Sequence, residues 1–413
     1  MKNKTLTYLV LSLLCCMSAC TSVDLCPEAE HPHITDMRVR LNWGDISKDE
    51  IPAEMHIVAS RIINTWRTHG IVDTSADPAT DNNITLQQSS SDSGTAVTAA
   101  SSFYLRGGEY NIFVINEQYA DTPVQTDETK PTPIISIENL DNYIHDNRIS
   151  VKDLYLQISS MGDEKPGIVE GNDLPDFNPD DEYLKEVKSP IFYAVQKNIN
   201  IQTGQPTVME FDMQRISQRI NIIFNIRTEG NIKKEDLSAP IIELSGTCGR
   251  FNISDACLDT TRLYRTVHQV QPDEFTQTGE GTYRCAVHFH TLGIIPSAAK
   301  GHLNGPGILQ VALQVSTPQL DAAGAPVLDA DGNPVKNSRY IYGAINPYDE
   351  LTAAQLIEVR DGKTYLRYSK EDVNIEITTP LVIKADKIVP NDTGMGWQPH
   401  DPSNPDDDII IEI

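Results

Sequence analysis

Apolar and polar residues alternate with period two along much of the chain, the pattern of a strand with one buried face. In RINIIFNIR, Ile220, Ile222, Phe224 and Ile226 form one apolar face, with Asn221 and Asn225 on the other. ILQVALQV sets Leu309, Val311, Leu313 and Val315 against Gln310 and Gln314, and VNIEI repeats the period with Val373, Ile375 and Ile377. In MRVRLNW, Val39, Leu41 and Trp43 oppose Arg38, Arg40 and Asn42; in GGEYNIFVIN, Tyr110, Ile112 and Val114 alternate with Asn111, Phe113 and Ile115. One-sided alternation predicts antiparallel sheets with one wet face. Helical periodicity is confined to a short helix over 349–359, capped by Asp349, and a turn or two in DEYLKEV. The expected fold class is all-β, a β-sandwich formed twice, with long loops.

Between the strand patterns lie a Ser, Thr, Asp and Ala-rich stretch over 73–100, the Pro-punctuated 118–133 and the acidic 170–183. LDAAGAPV (320–327) is followed directly by LDADGNPV (328–335), an eight-residue tandem near-repeat. Each copy carries a Gly where a tight turn wants positive φ, so the pair predicts an elaborated hairpin tip. Calcium bound by Asp329, Asp331 and Asn333 is the alternative, weakened by the lack of a downstream bidentate Glu. A polar connector, QKNINIQTGQP (196–206), predicts the domain boundary: one sandwich over 31–200, a second over 201–390, and an acidic tail over 391–413.

That tail closes with IIIEI after a tract of Pro, Asn and Asp. Alternation puts Ile409, Ile411 and Ile413 on one face of a strand, with Ile410 and Glu412 on the other. Their burial is worth roughly 1.5–3 kcal/mol each, so they need a sheet to join. It is either a neighbour's sheet, making them a donor strand, or a sheet of the chain's own second domain.

The N-terminus bounds the compartment. Lys2 and Lys4 precede the apolar run LTYLVLSLLCCMSA, too short to span a bilayer, and Met17-Ser18-Ala19-Cys20 has the form of a bacterial lipobox. Residues 1–19 are then a signal peptide, Cys20 the acylated residue and 20–30 a lipidated linker, with attachment through more than one acyl chain. Loss of the leader takes the net charge from −25 to about −27. Nucleic acid, which needs basic clusters, is excluded as a partner. Of seven cysteines, Cys26, Cys248, Cys257 and Cys285 lie beyond the leader and lipid site. Export permits disulfides, Cys248 and Cys257 being nearest in sequence, but buried free thiols are the favoured reading.

Catalytic patterns are missing: there is no G-x-S-x-G, no phosphate loop and no H-E-x-x-H, so neither an enzyme nor a cofactor is expected. His288 and His290 would share a strand face at a metal-competent spacing, and His31 and His33 form a second pair. Without a third ligand nearby, ordinary polar positions are the preferred reading of both.

The chain resembles the fimbrillin-like lipoproteins of Bacteroidetes, pilus subunits and their accessory or tip relatives. The resemblance rests on the lipobox at Cys20, DLC…HPH leading into RVRLNW, LRGGEYNIFVIN, FDMQRISQRINIIFNI, IIELSGTCGRFNIS, HTLGII, DGKTYLRYS and the acidic run after Trp397. It implies two tandem transthyretin-like antiparallel β-sandwich domains, outer-membrane lipid anchoring and other pilin subunits as partners. It also implies that a trypsin-like protease releases the first strand by cutting after Arg or Lys, whereupon another subunit's strand fills the groove. RVRLNW matches that first strand, and Arg61 and Arg67, in the segment after it, are the candidate scissile residues. The alternative is a surface glycan-binding lipoprotein. Its sugar platform would need exposed aromatics, and only Trp43, Trp66 and Trp397 supply indoles, beside fifteen tyrosines.

Overall fold

The computed structural model describes residues 34–399 except 64–65, 90–102, 120–132, 147, 163–182, 205, 231, 304, 368–371, 385–386 and 391–395. The signal peptide, Cys20, Cys26, His31, His33 and the Ile409, Ile411 and Ile413 strand lie outside the described residues. The rest is mostly β-structure, as the alternation requires. In the strand Gln218–Thr228, Ile220, Ile222, Phe224 and Ile226 are buried and their neighbours are half-exposed.

Strand direction departs from expectation. Ile34–Asn42 (β1) runs parallel to Thr207–Asp212, and Gln218–Thr228 runs parallel to Asp372–Ile383. Alternation reports which face is buried, and a parallel neighbour buries the same face as an antiparallel one. The sheets that hold these two pairs are therefore mixed, while a seven-stranded sheet is antiparallel in its described pairs.

The chain does not divide at one boundary either. One compact unit holds residues up to 115 together with 194–213; the other holds 116–193 and 214–413. The expected linker at 196–206 is largely strand, because Gln196–Ile201 completes the strand Phe192–Ile201. Its alternation is too polar to read as β, since this stretch is exposed or half-exposed along most of its length.

In the first unit, Glu54–Arg61 (β2), Arg67–Asp73 (β3), Ile84–Ser89 (β4) and Gly108–Ile115 (β6) make a sheet in the order 194–201, β6, β2, β3, β4. A second, three-stranded sheet places β1 between Thr207–Asp212 and Tyr104–Arg106 (β5). Strand β6 is buried on both faces from Ile112 to Ile115, where one wet face was expected. In the second unit, a six-stranded and a five-stranded sheet share one core containing Ile222, Phe224, Leu244, Val311, Leu313, Ile375 and Trp397. A seven-stranded sheet runs from Ile357–Arg360 to Gln118–Tyr119 and mixes strands of the inserted 116–193 segment with later ones.

The helix expected over 349–359 spans Tyr348–Ala354 (its N-cap is Pro347, not Asp349) and stops where Gln355 turns left-handed at φ 49°. Residues beyond it form the strand Ile357–Arg360. Within DEYLKEV, Tyr183–Leu184 is a short strand, not a helical turn. Cys248, Cys257 and Cys285 are buried free thiols, so the pair nearest in sequence is not bonded. Burial pushes Cys248 and Cys285 up to about 12, which keeps both protonated and unreactive.

Trp397 is fully buried, donates its indole N–H to Thr379 O at 3.0 Å and lies 5.2 Å from the Phe224 ring. Trp397→Ala should therefore cost about 3–5 kcal/mol through lost burial and a residual cavity, read as a fall in the denaturant midpoint. A cost below about 1 kcal/mol would contradict this placement.

Candidate functional site

The slot around β1 is where one strand is held along both edges, largely through its backbone groups. Thr35, Met37 and Val39 point inward and are buried, while Leu41 and Trp43 are half-buried. On one edge, β1 pairs with Thr207–Asp212 from Met37↔Thr207 to Asn42↔Asp212. Outward side chains follow the same register: Arg40 bonds Glu210 at 2.5 Å and Asn42 bonds Asp212 at 3.1 Å. Such exposed pairs add little stability. At the start of the strand, the Thr35 hydroxyl donates to Gln202 O at 2.6 Å.

The other edge is composite. β5 pairs with Ile34, Thr35 and Asp36 only, and the Met37 N–H then reaches Phe103 O at 2.8 Å. At Val39 a side chain takes over. Asn83 Oδ1 accepts the Val39 N–H at 3.1 Å, and Asn83 Nδ2 donates to Val39 O. Asn83 is itself 3% exposed and is fixed where β3 leads to β4, its carbonyl accepting the Asp73 N–H at 2.8 Å. Gly70 in β3 makes room beside it: a Cβ there would come within 2.9–3.0 Å of the buried Phe103 ring. Nothing in the sequence marks Asn83, a lone amide in a stretch that reads as loop.

Both expected scissile residues lie within strands. Arg67 is 5% exposed within β3, paired across from Ser60. Arg61 ends β2, is paired with Tyr110 and donates from Nη2 to Gly107 O at 2.5 Å. A cut after either would also leave β2 on the released side, and β2 sits between β3 and β6 with Met55, Ile57 and Ala59 fully buried. Lys48, missed by the sequence reading, is exposed in the 3-10 turn Lys48–Glu50 between β1 and β2. A cut there separates β1 alone. Its signal in the sequence was position: the first basic residue after the first strand.

His288 and His290 do share one strand, and the fold brings His268 beside them, 5.9 Å from His288 between ring centroids. Glu274 lies between the imidazoles, with Oε2 2.7 Å from His268 Nε2 and Oε1 3.4 Å from His288 Nδ1; Glu186 approaches His268 at 3.7 Å. Burial lowers the His268 pKa, but hydrogen bonds to Glu186 and Glu274 outweigh it and the net direction is upward. Burial, His288 and two nearby arginines bring His290 down to about 4. Among the described residues no three or more His, Cys, Asp or Glu side chains are arranged so that they could hold a metal ion. In the first unit His56 and His69 form a second cluster, Nδ1 to Nε2 at 2.9 Å. Burial, then the His56 charge, brings His69 down to about 3.

The tandem repeat is a two-lobed tip closed by a backbone ring. Gln319 donates to Val335 O, Val335 to Val327 O and Val327 to Gln319 O, at 2.7–2.8 Å. In the second lobe Asp329 Oδ1 accepts the N–H groups of Asp331 and Asn333; in the first, Asp321 Oδ1 accepts those of Ala323 and Ala325. The first lobe reaches the same conformation with alanines in place of the candidate ligands Asp331 and Asn333, so that conformation requires no cation. Among aromatics, Trp397 is buried, Trp66 is half-buried edge-on to Tyr110, and Tyr340, 41% exposed, lies near-parallel to Tyr342 at 6.3 Å.

No family model and no curated protein matches the chain. Solved structures do. A candidate adhesin from Bacteroides ovatus aligns over 88% of this chain and 98% of its own, at 8% identity and a TM-score of 0.45. A candidate polysaccharide-binding protein from Bacteroides thetaiotaomicron aligns over 84% and 92%, at 12% and 0.38. The fimbrial anchor protein Mfa2 from Porphyromonas gingivalis aligns over 84% and 90%, at 10% and 0.35. At these scores the likeness decides neither fold nor function.

Two predictions follow from the geometry. Asp329→Ala removes an acceptor of two N–H groups and should cost about 1 kcal/mol, whereas Asp331→Ala should stay within about 0.5 kcal/mol; equal costs in thermal melts, or a melt of the native chain raised by millimolar calcium, would revive the cation reading. His69 is held neutral when folded, so the unfolded chain takes up its proton first. Stability from this group is present above pH 6.5 and drains as pH falls toward 3, by up to about 4 kcal/mol. His69→Leu should flatten that part of the Tm–pH curve, and an unchanged slope would show that His69 is not its source.

Proposed function

We propose that the chain is a non-enzymatic subunit or anchor of a cell-surface fibre, and that copies join when a strand from one enters the β1 slot of another. The observation that carries this reading is the way β1 is held. Its buried contacts are alternate side chains and its edge contacts are backbone groups, both of which any apolar strand of the same phase can supply. The loop with exposed Lys48 follows it, so β1 can leave without removing a strand of the neighbouring sheet. An emptied slot exposes unpaired N–H and C=O groups on Thr207–Asp212 and invites a replacement. Ile409, Ile411 and Ile413 have the required alternation, and the polar tract before them serves as an arm. Cys20 supplies the lipid attachment to the outer membrane; a copy acting as anchor keeps its β1, because cleavage would part it from the lipid.

Glycan binding at the surface is the second reading, favoured by the exposed Tyr340 beside Tyr342 with Gln314 opposite on the next strand. It predicts oligosaccharide binding that Tyr340→Ala abolishes.

Limited proteolysis tests the assembly reading. Trypsin should cut after Lys48, located by mass spectrometry, and SDS-resistant ladders should appear only after the cut. Lys48→Gln should abolish both, and deletion of 406–413 should abolish the ladders without moving the Tm. A large loss of Tm on that deletion would assign the isoleucines to the chain's own sheet.

A further inference from the structure

The inserted 116–193 segment meets the edge of Leu263–Gln269 through a strand of two residues. Tyr183 and Leu184 run parallel to it, in register with Arg265 and Thr266. On its other side the same stretch is bonded to residues 159–161. Met161 donates to Tyr183 O at 2.7 Å, and Lys185 to Ser159 O at 2.9 Å. A ladder as short as that with Arg265 and Thr266 is marginal by itself, so side chains matter to the attachment. Tyr183 donates its hydroxyl to Glu243 Oε2 at 2.9 Å, and Arg265 holds Glu243 Oε1 at 2.6 Å. The parallel register carried two residues further puts Glu186 beside His268, and there Glu186 Oε1 lies 3.7 Å from His268 Nδ1.

His268 thus has a carboxylate at each ring nitrogen, since its Nε2 is 2.7 Å from Glu274 Oε2. Only the imidazolium has an N–H for both; either neutral tautomer turns a lone pair toward one carboxylate. The two carboxylates are not held alike. The Glu274 side chain is 11% exposed, its Oε2 also accepts the Gln271 N–H at 2.8 Å, and its carbonyl accepts the Ala286 N–H at 3.0 Å. The Glu186 side chain is 53% exposed and has water to turn to. A single remaining N–H therefore stays with Glu274. The other ionisable groups nearby are His288, 5.9 Å away between ring centroids and itself facing Glu274, and His290, which acts on Glu186 but is brought down to about 4 and so is neutral near pH 7. On the neighbouring strand Glu243 is balanced by Arg265.

We propose that His268 is a pH-sensitive latch on the inserted segment: charged, it ties Glu186 to the edge of Leu263–Gln269, and on losing its proton it keeps Glu274 and releases Glu186. Burial lowers the His268 pKa, but the bonds to Glu186 and Glu274 outweigh it and the net value lies above 6.5. Stability from the contact is therefore fully present below pH 6.5 and drains as pH rises through the folded value. Glu186, its own pKa lowered chiefly by the bond to His268, stays ionised across that range. With Glu186 released, the edge at Arg265 and Thr266 rests on the short ladder and the Tyr183 hydroxyl, and local opening becomes more frequent. The edge is covered in mildly acidic surroundings and opens in alkaline ones.

Amide hydrogen exchange in the full chain tests the latch, read over residues 183–186 and corrected for the base catalysis of exchange itself. The native chain should open about tenfold more often at pH 9 than at pH 6, with a midpoint that matches the His268 titration followed by NMR. Glu186→Gln, a change at an exposed position, should lose this pH dependence and lower the His268 midpoint. His268→Gln should open at the fast rate at both pH values; Glu186→Gln carries the comparison where that buried change fails to fold. Opening that does not respond to pH in the native chain, a His268 midpoint at or below 6.5, or an equal pH dependence in Glu186→Gln overturns the proposal.

Discussion

A peptide group removed from water needs a partner, and the region around β1 is organised by that requirement. Along Thr207–Asp212 the need is met by a regular ladder. On the opposite edge the ladder with β5 runs out after three residues, a single carbonyl from Phe103 serves Met37, and then a side-chain amide imitates a strand for Val39. Everything that positions this amide lies in β3 and its exit: the Asp73 bond to the Asn83 carbonyl and the missing side chain of Gly70 that admits Phe103. From Ile34 to Val39 the strand is thus held mainly by groups that recognise backbone and phase.

The same requirement accounts for how the chain is divided. Residues 116–193 leave the first unit after β6 and contribute Gln118–Tyr119, Pro133–Glu138 and Tyr155–Ile158 to a sheet whose other strands come from beyond residue 249. Arg250 secures this insertion within the second unit, bonding Glu138 at 2.7 Å and Asp259 at 2.9 Å and stacking over Tyr155 at 4.1 Å. Chain order and unit membership diverge because a strand is assigned by what satisfies its edges, and those partners lie far along the sequence.

Legibility followed the same division. Faces were readable: the alternation of Ile220 to Ile226, Leu309 to Val315 and Val373 to Ile377 marks the side chains that are buried. Edges were not. Nothing in the pattern distinguishes the parallel pairing of β1 with Thr207–Asp212 from an antiparallel one, or shows that the polar residues 196–201 are strand. Of the candidate site, the first strand and the His288–His290 pair were readable, but Asn83 and Lys48 were not. Asn83 is one amide among many, and Lys48 becomes informative only once β2 is known to be the strand that follows it. That Arg61 and Arg67 lie within strands β2 and β3 was not readable either, because the sequence did not show where the first strand's neighbour begins.

The separation between β1 and its long partner also has a temporal side. Arg40 and Glu210 stand 170 positions apart, so a ribosome delivers the first strand well before anything can zip along its main edge. Contacts that close so large a loop form late in folding. The first strand of the described chain is thus made well before its main edge partner, and in that interval the ladder along Thr207–Asp212 has no second side.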